Sequence, residues 1–228
     1  MLYKSALLTV ASGSIGGITA SHNSGGQYFR ARTTPTNPNS AGQQAARTAL
    51  SNATSAWANL TTLAQQAAWN TYAANVPLIN RLGDPVFVSG LAHYVRSNVP
   101  RLRLGLSRVD DAPTIFTLAE MSPISIALTD AGDVIDVTFD NTDDWAAQTG
   151  SYLFLQVGQP QNPTINFYKG PFRATGQIVG STGIPPGSPF AGASVIPFST
   201  GQRVFVRARA SDADGRLSPP QIVFADVP

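Results

Sequence analysis

The chain has 228 residues, a formal net charge of +2 and no cysteine; a disulfide framework and a thiolate metal site are therefore excluded. Hydrophobic residues make up 43% and charged residues 12%, about half the usual charged share. A packed core is within reach, wholesale disorder is not, and the water-facing groups must come from Ser, Thr, Asn, Gln and the backbone. No run of 18 apolar residues occurs, so no membrane span is expected. Lys4 is followed by an apolar stretch of only about six residues, short for a signal peptide. Leu2–Val10 alternates as a strand does, and the chain is expected to be made without a signal.

The first segment, residues 1–38, reads as an extended β arm or hairpin. Leu2–Val10 is one candidate strand. Ile15–Ser21 and Gln27–Thr33 are two more, around His22-Asn23-Ser24-Gly25-Gly26, where Asn and Gly supply the positive φ of tight connections. A hairpin this short is marginal alone, and its own residues supply no core, so it must lie on something.

The second segment, residues 39–111, reads as a helical domain. Asn39-Ser40 offers an N-cap, and Leu50, Ala53 and Trp57 fall on one face of the helix that follows. Thr62-Leu63-Ala64-Gln65 has the form of a capping box and opens a second helix with an Ala68, Trp69, Tyr72, Ala73 stripe, ended by Pro77. Ile79 to Gly90 holds a turn and a brief strand. Ser89 caps a third helix with Leu91, Tyr94 and Val95 on one face, ended by Pro100. Trp57 and Trp69 are expected in the helical core.

The third segment, residues 112–228, reads as all β. Candidate strands are 124–128, 134–139, 152–157, 165–173, 177–180, 193–196, 203–210 and 221–225, several alternating apolar with polar. Seven or eight short strands in about 115 residues argue for a β-sandwich, with Trp145 at one end. The expected class is therefore α+β: an N-terminal β arm and small helical domain, then an all-β sandwich.

Chemistry-bearing motifs are sparse. His22 and His93 lie in different segments without partners spaced for a metal or a triad, and His93 reads as half-buried packing. No H-E-x-x-H, G-x-S-x-G or P-loop string occurs. Ser211–Ser218 mimics the opening of a calcium loop but lacks its third oxygen ligand and closing Glu; its Asp-Gly step reads as a hairpin turn. Asp140, Asp143 and Asp144 read as a solvated loop. No enzyme activity, cofactor or metal site is expected.

Charge is uneven: residues 1–111 hold nine Lys and Arg against three Asp, and residues 112–228 hold six against ten acids. Such a split suggests head-to-tail contact between copies or a basic face toward nucleic acid. Arg30 and Arg32 lie two apart on a predicted strand and so share a face. Arg47 follows on the first helix, while Arg96, Arg101, Arg103 and Arg108 crowd the end of the helical segment. Arg grips carboxylates in a two-pronged way and suits protein interfaces, and the near absence of Lys favours protein docking over phosphate binding. Arg30, Arg32 and Arg47, with Tyr28 and Phe29, are the expected assembly interface.

The string Gly25–Arg47, with its R-x-R-x-x-P-x-N-P run from Arg30 to Pro38 and Gln43 four residues before Arg47, precedes Trp57, Leu60, Thr61 and Trp69. In that order it resembles a family of uncharacterised proteins encoded by bacteriophages, prophages and environmental virus-like genomes, over residues 10–100. Residues 112–228 resemble a fibronectin-III or immunoglobulin-like sandwich by strand pattern. The resemblance implies a structural protein of the virion, made in the bacterial host cytoplasm. Its partners would be further copies of itself and capsid, portal or tail proteins. Capsid cement or decoration and a head–tail neck component are the expected roles. A tail-fibre, baseplate or carbohydrate-binding module is an alternative, with Trp145, Tyr152, Phe167 and Tyr168 as sugar-facing aromatics; a DNA-binding accessory protein is another.

Overall fold

The structure, a computed structural model, describes residues 11–23, 26–59, 62–80 and 82–228; the expected strand Leu2–Val10 lies outside them. Among the described residues the chain is mixed α+β, with three helices and four antiparallel sheets. It divides into two compact units, Met1–Ala41 and Gly42–Pro228.

The first unit carries a three-stranded sheet, order β1-β2-β3, of Gly13–Ile15, Ile18–Asn23 and Gly26–Ala31. The single strand expected over Ile15–Ser21 is broken, because Gly16 adopts φ 57° and closes a two-residue turn between paired Ile15 and Ile18. β2 and β3 pair from Ile18 with Ala31 to Asn23 with Gly26. No described residue of this unit is buried, and Ile15 and Ile18 are 89% and 55% exposed.

In the second unit the helices α1 (Ala41–Asn59), α2 (Leu63–Asn75) and α3 (Gly90–Arg103) come first. Thr62 accepts from the Gln65 amide while Gln65 reaches back to the Thr62 amide, the expected capping box. Ser89 accepts from the Ala92 amide and starts α3, and α2 stops before Pro77. The buried face of α1 is Ala49, Ala53 and Ala56, with Leu50 49% exposed; small side chains replace the expected Leu50 face. A core of Ala56, Trp69, Tyr72, Val76 and Tyr94 follows, with Trp57 packed against it. Gly90 lies so close to α2 that a Cβ there would stand 2.7 Å from the Asn70 amide nitrogen, so only glycine permits the crossing. Between α2 and α3, β4 (Leu78–Ile79) and β5 (Pro85–Val86) form a two-stranded ribbon.

Pro100 does not end α3. It sits inside the helix, which runs on to Arg103 because Arg101 is held there by partners far along the chain. His93 is fully buried rather than half-buried, on a stripe with Tyr94, Ser97, Asn98 and Arg101.

The β portion comprises a three-stranded sheet, order β10-β7-β6, and a four-stranded sheet, order β12-β11-β8-β9. Their strands are β6 (Ser125–Thr129), β7 (Val134–Thr138), β8 (Tyr152–Gly158), β9 (Phe172–Val179), β10 (Phe190–Ala193), β11 (Arg203–Ser211) and β12 (Gln221–Asp226). Both sheets feed one apolar core, with Leu128, Ile135 and Val137 from the first and Leu153, Leu155, Val157, Ile178, Val204 and Val206 from the second.

Two expected strands move. Residues 165–171 form no strand: Asn162 accepts from the Thr164 amide and hydroxyl, and Arg203 donates to Ile165 O and Asn166 Oδ1. These side-chain bonds occupy backbone and polar groups in place of a ladder. The strand expected at 193–196 lies at Phe190–Ala193, since the Ser194 amide turns to Asp133 O and the Ser194 hydroxyl to Ile196 O. The boundary expected between 111 and 112 separates no compact units; helices and sheets share Gly42–Pro228.

Candidate functional site

Two arginine systems link α3 to β11 and the turn after it. Arg101 is 3% exposed. Its guanidinium donates to Gly150 O at 3.0 Å, Asp212 O at 2.7 Å and Ser211 Oγ at 3.3 Å, and it stacks 5.1 Å from the Tyr152 ring centroid. The turn it grips is Ser211–Ser218, where Gly215 takes φ 91° and donates its amide to Asp212 O, as the Asp-Gly reading expects. Arg216 pairs with Asp212 and Asp214, each at 2.8 Å. Burial pushes the Asp212 carboxyl up to about 6, with Arg216 opposing it, and its Oδ1 has no hydrogen-bond partner. The two carboxylates of the calcium-like string, Asp212 and Asp214, thus serve an internal joint, and no cluster of metal-ligating side chains occurs among the described residues.

The second system is a cleft of about 400 Å³ between α1, α3, β8 and β11. Arg96 and Arg103, seven apart, share a face of α3, and Arg207 and Arg209, two apart, share a face of β11. Arg96 donates to Leu217 O at 2.8 Å and Ser218 O at 3.2 Å. Arg209 meets the same Ser218 O at 3.1 and 3.0 Å, so one carbonyl draws two guanidiniums together. Arg207 donates to Gln156 Oε1 at 2.7 Å and lies 4.7 Å over the Phe172 ring. Among the described residues the ion pairs involve Arg108, Arg203 and Arg216; none of the four cleft arginines meets a carboxylate.

Burial, then repulsion from Arg96 and Arg207, brings Arg209 down to about 9. Burial brings Arg96 down to about 10, and burial with Arg103 nearby lowers Arg207. Leu50, Val95, Val99, Pro100 and Phe154 complete the lining. Guanidiniums crowded without counter-charge beside apolar walls can accept an anionic group carried on an apolar neighbour.

The expected assembly residues divide between the units. Tyr28, Phe29 and Arg30 lie on β3, opposite Ser21, Ala20 and Thr19, and strand alternation puts Tyr28 and Arg30 on one face and Phe29 on the other. Arg32 follows the strand, its amide donating to Gly17 O at 2.8 Å. Arg30 and Arg32 are exposed. Arg47 is exposed on α1, in the other unit.

The expected sugar-facing aromatics do not form a platform. Trp145 is 0% exposed, packs 5.1 Å from Phe139 and donates its indole N–H to Asp143 at 3.2 Å; it is a core residue, because the turn carrying it folds under the sheets. Tyr152 and Tyr168 are half-buried at opposite ends of β8: Tyr152 stacks on Phe154, and Tyr168 covers Phe205, with its hydroxyl donating to Pro171 O. Phe167 alone of this set is largely exposed, at 75%.

Arg207 and Arg209 were missed by the sequence reading. Their signal is the R-x-R step in Arg203–Ala210, which projects both guanidiniums from one strand face. What stays hidden in sequence is that α3 supplies the facing pair. The chain matches no protein family, no curated protein and no solved structure.

Proposed function

We propose that this chain is a non-enzymatic structural protein of a phage virion, capsid cement or a head–tail neck component, that joins the particle through its N-terminal arm. One observation carries the reading: the sheet of residues 13–31 buries none of its described side chains. A sheet without a core cannot offset the entropy of ordering it, so its proper place is on another molecule. Its outer strands β1 and β3 each pair on one side only among the described residues, and such edges receive strands from neighbours. The division of seven strands into three and four around one core supports a fibronectin-III-like sandwich as the body this arm carries. Burial of Trp145 takes one of the four candidate aromatics away from a sugar-binding role.

Removal of residues 1–38 is the test. The truncated chain is expected to remain soluble and to be absent from purified particles; normal incorporation would reject the arm's role. Retention of duplex DNA at low salt by the full chain, lost on Arg30→Ala with Arg32→Ala, would favour the nucleic-acid alternative.

A further inference from the structure

We infer that the arginine-lined cleft is a docking site for a second copy of this chain, which presents to it the acidic face of its three-stranded sheet. This deepens the assembly reading and rests on it only in taking the protein to act in many copies. The arm is not required.

The cleft supplies one half of the contact. Arg96, Arg103, Arg207 and Arg209 converge with no carboxylate among the described residues, beside the exposed Leu50 and the ring of Phe154. A cluster of like charge in a half-buried place costs free energy that a matching anion recovers.

The chain itself supplies that anion. From Val109 to Tyr168 it contains no Lys or Arg and nine acids. Six of these, Asp130, Asp133, Asp136, Asp140, Asp143 and Asp144, sit on β7 or in the turns flanking it, and none is paired with a base among the described residues. Asp130, Asp140 and Asp144 are exposed. The cleft is built on β8 and β11 of the four-stranded sheet, whereas β7 belongs to the three-stranded sheet across the core. One copy therefore cannot close its own cleft with its own acids. The complementary surfaces differ, so the contact is head-to-tail, and repetition produces rings or filaments rather than closed pairs. The basic arm of a neighbour is excluded from this cleft by like charge.

Sedimentation velocity of the full chain across a salt series tests this. The wild type is expected to self-associate at low salt and to dissociate as salt screens the contact. Arg103→Glu alters the cleft arginine whose guanidinium makes no hydrogen bond among the described residues, and Asp136→Arg with Asp144→Arg alters the other face. Each is expected to weaken association roughly tenfold or more, with an unchanged melting temperature; Arg103→Gln gives a smaller loss if the charge reversal disturbs folding. A mixture of the two reversed proteins is expected to recover pairwise association, since the unaltered cleft of the Asp136→Arg, Asp144→Arg protein accepts the unaltered acidic face of the Arg103→Glu protein.

Arg30→Ala with Arg32→Ala is expected to leave this salt-sensitive step intact. A wild type that stays monomeric at low salt, reversed variants that associate normally, or a mixture that fails to recover would each overturn the head-to-tail contact. Stoichiometric binding of inorganic phosphate at the cleft without self-association would overturn it in favour of a small-anion site. None of these results touches the arm, which is judged by particle incorporation alone.

Discussion

The interior of the β portion and the seam between α3 and the turn after β11 are built on opposite principles. The first is apolar throughout: Leu153, Val157, Val204, Ala208 and Ala210 are all 0% exposed. Such a core is stabilised by removal of area from water, which is nearly indifferent to direction. At the seam the buried groups are His93, Ser97, Asn98, Arg101, Ser211 and Asp212. There Asn98 donates to Tyr94 O and Val109 O and accepts from the Val109 amide, while Tyr94 donates to Asp110. Hydrogen bonds of that kind contribute little net stability when made and cost much when broken. The difference teaches that the sheets supply stability whereas the seam supplies orientation, and it is the orientation of α3 against β11 that assembles the arginine cleft.

The largest test of this contrast is Arg101→Met. It keeps volume but leaves the Gly150 and Asp212 carbonyls without their donor, and a loss of about 3–5 kcal/mol is expected by urea denaturation. A loss under about 1 kcal/mol would place the seam on the same footing as an exposed ion pair.

Asp212→Asn comes next. In the wild type the carboxyl titrates near 6 when folded, above its ordinary 3.8. Its stabilising share is complete below 3.8 and disappears as pH rises through 6, a fall on the order of 3 kcal/mol. The variant is expected to lose that slope in melts between pH 4 and 7. His93 is held neutral chiefly by burial, which lowers its titration. Its share is present above the ordinary histidine value and lost as pH falls, so its slope has the opposite sign and persists in the variant.

The smallest effect belongs to Ile178→Val, 2% exposed in the apolar core. A loss of about 1 kcal/mol, independent of pH, is expected, with tryptophan emission unchanged.

Local signals read well because their causes are local. Thr62 and Ser89 cap helices through amides three residues away, and Pro77 stops α2 because the residue before a proline avoids the helical region. β7 and β11 announce themselves by alternation, and these two with β8 and β12 fall within a residue or two of their expected ends. The α+β order was legible for the same reason. The failures share a different cause: partners distant in sequence. Pro100 looks like a helix end until Arg101 is seen bonded to residues 49 to 111 positions away. His93 looks like a half-exposed residue until Val76 O is found 3.1 Å from its Nε2 and the Tyr72 ring at its edge. Arg30 and Arg32 drew attention by their spacing, whereas the equally spaced Arg207 and Arg209 were hidden within a strong strand pattern. Trp145 illustrates a third cause, since aromatic identity is the same for a core residue and a ligand platform, and only burial tells them apart.

The bonds of Arg101 also impose an order of events during synthesis. α1, α2 and α3 leave the ribosome more than a hundred residues ahead of Ser211 and Asp212. Until β11 emerges, the guanidinium lacks Ser211 Oγ and Asp212 O, two of its three acceptors, so the trio of helices waits without that anchor. Translation speed through residues 104–211, rather than the propensity of the helices themselves, then governs how long that trio is open to wrong partners.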